Sequence, residues 1–272
     1  LRPAGVNGFV LGNTLFDKLW QAHEVTTLSE RQSLLYVDRI FLHERTGSVA
    51  LNGLLERQRS VRRREHAFCT MDHIVDTLPG RGDETLMPSG RDFIVATRHA
   101  AHETGIQLFD IADADQGIVH VISPELGIAL PGLSLICPDS HTCTLGGLGA
   151  LAWGVGSTEA EHALATSTLR VTRPQTMRVS FAGLLGAGVS AKDLILFTIR
   201  ELSASGGAGY AIEFAGPAID ALPVEARLTL CNMTTELSAF TGLIAPDQKV
   251  LDYCAGRRYA PQGQLWDQAA QH

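Results

Sequence analysis

The chain has 272 residues, 45% hydrophobic and 19% charged, which supports one large or two medium cores and excludes a disordered chain. A formal net charge of -7 works against phosphate binding, so nucleic acid and anionic membrane are excluded as partners. No apolar stretch reaches the roughly 18 residues of a membrane span. Five cysteines, Cys69, Cys137, Cys143, Cys231 and Cys254, form an odd set without disulfide spacing, so free thiols in a cytoplasmic protein are expected.

The stretch VNGFVLGN is too short and too broken by Gly and Asn to be a signal core, and residues 1–12 are given no structural role. TLFDKLWQAHEV spaces Leu15, Leu19 and Ala22 at helical intervals behind Asn13-Thr14, which predicts a capped amphipathic helix. LLYVDRIFLHE predicts one buried strand. The basic run Arg57 to Arg64 is expected to be a solvated turn. A helix is predicted from about Ser89 to Glu103, closed by Gly105, with strand IQLFD after it. GIVHVI and LSLIC read as two further buried strands. STEAEHALATSTL reads as a helix capped by Ser157-Thr158 with Glu161 near its third position. Strand and helix alternate, which argues for an α/β layered sheet.

The pattern resets at VTRPQT, placing a boundary between units 1–172 and 173–272. In the second unit TMRVSFAG predicts a strand, SAKDLILFTIREL a helix capped by Ser190, SGGAGYAIEFAG a glycine turn into a strand, and EARLTLCNMTTELSAFTGLI one long helix.

Four polar clusters fall at predicted strand ends or turns: Asp72-His73, His120 inside the apolar GIVHVI strand, Asp139-Ser140-His141, and Asn232 with Glu236, four apart on one helix face. In α/β sheets ligands gather at the carboxyl ends of strands. Each cluster also has a purely structural reading, as a buried hydrogen bond, a core histidine or a helix cap. Ser140 sits in P-D-S-H-T rather than on a G-x-S-x-G elbow, which opposes a serine hydrolase. GLGALA follows a polar turn rather than a strand, which opposes a dinucleotide site, and its glycines are expected to allow close packing at the start of a buried helix. Zinc on Cys69, His73, Cys137 and His141 lacks a C-x-x-C or H-E-x-x-H to support it.

Taken together, TLFDKLWQAH, LLYVDRIFLHE, TMDHIVDT, QGIVHVISPELGIALPG, DSHTCTLGGLGALAWGVGSTEAEHALAT, SAKDLILFTI, GGAGYAIEFAG and LTLCNMTTELSAFTGLIAPD resemble the aconitase superfamily, and within it the 3-isopropylmalate dehydratase large subunits. The resemblance implies three-layer α/β/α domains and a hydro-lyase that interconverts 2- and 3-isopropylmalate in leucine biosynthesis. It implies catalytic roles for Asp72 and His73 as one pair, His120 and Asp139 as a second, and His141 with Glu236 as a third. Ser140 and Asn232 would line the pocket for a small hydroxy-dicarboxylate. It further implies a four-iron four-sulfur (4Fe-4S) cluster in the complete enzyme and a small subunit carrying a swivelling domain with the serine base. The five cysteines here do not match the cluster-ligand positions, so no cluster is expected on this chain, and the chain alone is expected to be inactive. Gly47-Ser48-Val49 stands where these dehydratases have Ser-Pro-Gln, which leaves room for a relative acting on maleate, citraconate or homoaconitate. Two other readings are a non-catalytic scaffold subunit and a mononuclear-metal hydro-lyase using Cys137 and His141.

Overall fold

The computed structural model describes residues 13–271, so residues 1–12 of the VNGFVLGN reading lie outside the described residues. At Thr14 the hydroxyl accepts from Asp17 N while Asp17 accepts from Thr14 N, a reciprocal cap that starts α1 (Leu15–His23) as the sequence predicts. Strand β1 (Glu24–Ser29) pairs with β2 (Gln32–Tyr36), and β3 (Arg39–His43) follows. The single strand expected over LLYVDRIFLHE is therefore two, in different sheets. Asp38 causes the break: its carboxylate accepts from Ser134 N, Ser134 Oγ and His23 Nε2, which pulls the chain from one sheet toward the other.

Helix α2 (Gly47–Glu56), strand β4 (Ala67–Thr70) and helix α3 (Gly90–Thr104) come next. Gly105 ends α3 in the left-handed region, φ 69°, as its C-cap role requires. The basic run between α2 and β4 is largely solvent-facing, though Val61 is buried. After β5 (Gln107–Phe109), the expected GIVHVI strand is instead helix α4 (Val119–Glu125). Its β-branched residues favour a strand, but Asp72 accepts from Val119 N at 2.8 Å and Ser123 Oγ donates back to Val119 O, which satisfies helical rather than ladder bonding.

Strand β6 (Ser134–Cys137) leads into a 3-10 helix, Ser140–Leu148, and then β7 (Leu151–Gly154). The glycines here do serve close packing: a Cβ on Gly146 would lie 1.7 Å from Gly242 O, and one on Gly147 would lie 2.7 Å from Leu228 N. They belong to a 3-10 segment ahead of a strand, not to the α-helix expected there. Helix α5 (Ser157–Thr166) starts one residue earlier than expected, with Glu159 accepting from Gly156 N, while Glu161 pairs with Arg57. Strand β8 (Thr168–Thr172) then pairs with β2.

The later part contains β9 (Gln175–Ser180), α6 (Ala191–Leu202) with a Ser190/Asp193 capping box, β10 (Tyr210–Ala215), α7 (Pro217–Ala221) and α8 (Val224–Asn232). The single long helix expected over 225–244 is α8, a 3-10 turn (Met233–Leu237) and strand β11 (Thr241–Ile244). Ser238 stops the helical run in the left-handed region, φ 59°. Helices α9 (Gln248–Cys254) and α10 (Gln264–Ala269) complete the described chain.

Three sheets result. Strands β1-β2-β8 form an antiparallel ribbon, β9-β10-β11 a parallel sheet, and β5-β4-β3-β6-β7 a five-stranded parallel sheet. Helices flank the parallel strands, as an α/β fold requires to bury both faces. In the five-stranded sheet the winding reverses between β3 and β6, the kind of switch point at whose carboxyl ends α/β sheets place their ligands.

Candidate active site

The segments leaving β3, β4 and β6 meet at that switch point. Asp72 and His73 follow β4 and Asp139 follows β6. His73 Nδ1 is 2.6 Å from Asp72 Oδ1 and its Nε2 is 3.0 Å from Asp139 Oδ2, so a carboxylate faces each ring nitrogen. The Asp139 carboxylate contributes most, and Asp72 next, to raising the His73 pKa from 6.5 to about 10, against the opposing cost of burial. His73 is thus an imidazolium at neutral pH. Burial works against the Asp139 charge, but His120, His73 and the His141 N–H outweigh it and hold the carboxyl well below the usual range.

Asp139 is also the N-cap of the 3-10 helix, accepting from His141 N at 2.7 Å. His141 follows it with Nδ1 3.2 Å from Ser140 Oγ and Nε2 3.5 Å from Glu236 Oε1. His120, on α4, lies with Nε2 3.3 Å from Asp139 Oδ1 but off the line of a hydrogen bond, and both its ring nitrogens are buried without a hydrogen-bond partner among the described residues. Asn232, at the end of α8, donates from Nδ2 to Thr144 Oγ1 at 2.8 Å. His120, Thr144 and Asn232 share a cleft of about 450 Å³ with Ile118, Val121 and Met233.

All eight residues singled out in the sequence therefore lie around one region. Asp72, His73, Asp139 and His120 form a continuous array, His141 reaches it through Asp139 at 3.8 Å, and Glu236 meets His141. Ser140 touches His141, whereas Asn232 joins through Thr144 rather than through the array itself. Two residues were missed. His43 and Glu44, leaving β3, lie directly beneath Asp72-His73: the His43 and His73 rings stack at 3.7 Å, and Glu44 accepts from Asp72 N and His73 N. Their signal was present in FLHE, an ionisable pair immediately after an apolar strand.

Iron–sulfur ligation needs thiolates that converge. The five cysteines are all buried and spread over three apolar cores and the 140–148 segment. Burial raises every one of their thiol pKa values. No three of them converge among the described residues, so this set does not fit a 4Fe-4S cluster. The suggested zinc set and a mononuclear site on Cys137 fail likewise, because Cys69 and Cys137 are sealed in the core. One group, His43, Glu44, Asp72 and His73, has ligand atoms within 4.8 Å of one another. Glu44 already accepts four backbone N–H bonds and both His73 nitrogens face carboxylates, so these donors are committed to each other.

A family profile described as the aconitase family (aconitate hydratase) matches residues 17–272. The chain belongs to the aconitase family. Across 258 residues it is 50% identical to the 3-isopropylmalate dehydratase large subunit 1 of Bradyrhizobium diazoefficiens, a match covering 95% of this chain and 54% of that relative. The chain thus spans about half the length of the curated relative it matches. Within this aconitase-family chain, Val49 of the divergent Gly47-Ser48-Val49 is exposed at the start of α2, while Ser48 is buried.

Proposed function

We propose that this chain supplies the proton-handling part of a hydro-lyase site that interconverts 2-isopropylmalate and 3-isopropylmalate. The observation that carries the reading is His73 held as a cation between Asp72 and Asp139 at the switch point of the sheet. Dehydration breaks a C–O and a neighbouring C–H bond and leaves a C=C bond plus water. Hydroxide leaves readily only when a proton reaches the departing oxygen. His73 carries such a proton, and Asp72 and Asp139 fix the ring's direction. Rehydration at the adjacent carbon runs the same transfer in reverse. His120, His141 and Glu236 surround the array, and Ser140 and Asn232 offer hydroxyl and amide groups to a hydroxy-dicarboxylate.

The substrate is that in the relative's name, and a small subunit is the expected partner because that relative is named a large subunit. The expected location is the cytoplasm; among the described residues no helix is long and apolar enough to cross a membrane. Family membership implies a 4Fe-4S cluster in the complete enzyme, and the proposal places its ligands, like the base for the carbon-bound proton, outside this chain. The division at 172/173 belongs to the same reading, supported by the β9-β10-β11 sheet lying wholly after it.

The test is turnover by the full-length protein with its small subunit, followed by absorbance of the unsaturated intermediate, on isopropylmalate, maleate, citraconate and homoaconitate. Isopropylmalate as the preferred substrate is the expected result. Preference for another acid would move the assignment to that relative, and turnover unaffected by replacing His141 would favour a scaffold role.

A further inference from the structure

Strand β3 delivers two consecutive residues beneath the array, and each binds a different part of it. The Glu44 side chain is fully buried. Its Oε2 accepts from Asp72 N at 2.9 Å, while its Oε1 accepts from His73 N at 2.8 Å, from Val75 N at 3.4 Å and from Ile74 N. The turn after β4 is wrapped around this one carboxylate. Glu44 is itself held from the other side, because Thr97 Oγ1 on α3 donates to its carbonyl at 3.1 Å.

His43 acts on the ring rather than the backbone. It stacks on His73 with centroids 3.7 Å apart and planes 15° from parallel. Its Nε2 donates to Pro138 O at 3.0 Å, next to Asp139, and contacts Thr46 Oγ1 at 3.2 Å. With Nε2 donating, Nδ1 carries the lone pair, buried and without a hydrogen-bond partner among the described residues. Burial, and then the charge of His73, push the His43 pKa down, so a neutral ring lies against the imidazolium. A charged ring there would repel it.

We propose that His43 and Glu44 are positioning residues for His73: Glu44 fixes the backbone turn that presents Asp72 and His73, and His43 fixes the plane of the His73 ring and its spacing from Asp139. Both side chains are buried beneath the array, so they act on it through His73 and its turn. The assignment rests on the reading of His73 as the proton donor. The carboxylate is required because four N–H groups converge on two oxygens; a carboxamide would turn its NH2 toward at least one of them. The aromatic ring at 43 is required for the stack, and the Pro138 bond links it to the Asp139 segment. Such supports matter because a displacement of about 1 Å costs roughly 100-fold in rate.

The experiment uses the full-length protein with its small subunit, labelled with 15N-histidine, and the variants Glu44→Gln, His43→Ala and His43→Phe. The expected result is a kcat reduced about 10- to 100-fold with KM within threefold for Glu44→Gln and His43→Ala. The His73 ring nitrogens are expected to titrate at lower pH than in the wild type. His43→Phe, which keeps the stack, should recover most of the kcat lost by His43→Ala. Should Glu44→Gln fail to fold, the two His43 variants decide. Folded variants with wild-type kcat and unchanged His73 nitrogen shifts overturn the proposal. So does a loss of kcat that only tracks a fall in melting temperature, with His73 unshifted. If the wild type turns over none of the acids while the His73 shifts still respond to the variants, the functional reading fails and the cradle stands.

Discussion

The five-stranded and three-stranded parallel sheets obey the same strand–helix alternation yet differ at their carboxyl edges. The first ends in His43-Glu44, Asp72-His73 and Asp139, whereas the strands of the second run out into Phe181, Gly216 and Ala245-Pro246. Strand order explains the difference. In β9-β10-β11 the chain advances in one direction, while the reversal between β3 and β6 sends the connections leaving those two strands in opposite directions, the arrangement that frees strand ends for ligands in α/β sheets. The second sheet contributes from further away: it seats α8 and the 233–237 turn, which bring Asn232 and Glu236 to the 140–148 segment. In this fold, topology selects which strand ends can hold ionisable groups together.

The largest effect is expected at the carboxyl edge of the five-stranded sheet. Under the proposed function, His73→Gln in the full-length protein with the proposed small subunit is expected to lower kcat by about 10²- to 10⁴-fold, read by absorbance of the unsaturated intermediate. At the other sheet, Phe214→Ala on buried β10 is expected to cost about 3–5 kcal/mol in denaturant unfolding. The His73 titration in that variant should stay at its wild-type position. Gly154→Ala probes the edge of the five-stranded sheet without touching an ionisable group. The added Cβ would lie 2.6 Å from Asp139 O, so the turn must shift, at a cost of about 1–3 kcal/mol and with kcat falling more than for an alanine elsewhere on β7.

The same array also makes stability depend on pH. The folded pKa of His73, about 10, lies above its ordinary 6.5. Its contribution is therefore fully present below pH 6.5 and fades as pH rises from 6.5 through about 10. The stability difference between wild type and His73→Gln should shrink across that window, as measured by unfolding at each pH.

Local chemistry was legible where it acted locally. Thr14 with Asp17, Ser190 with Asp193, and Gly105 announce helix ends through bonds within a few residues. The errors came where distant partners decide. Asp38 splits a continuous apolar run by bonding Ser134, ninety-six residues away, and Asp72 turns GIVHVI into α4 by capping Val119. The break at Ser238 gives no pattern in the apolar spacing of 225–244. Asp72-His73, Asp139-Ser140-His141 and Asn232 with Glu236 stood out in the sequence as polar clusters and His120 as an ionisable residue in an apolar run, but the junction of His73 and His120 at Asp139 belongs to the tertiary fold. His43 and Glu44 escaped because FLHE reads as the tail of a strand.

The sealed cysteines have a use beyond excluding a cluster. Alkylating reagents attack thiolates, and burial suppresses both access and ionisation at all five positions. Cys69 sits in the core against α1 and α5, Cys137 and Cys254 in that under α4, and Cys231 in that of the three-stranded sheet. The rate at which each thiol is labelled under native conditions therefore clocks the opening of its own neighbourhood, giving the protein a set of internal stopwatches for regional unfolding.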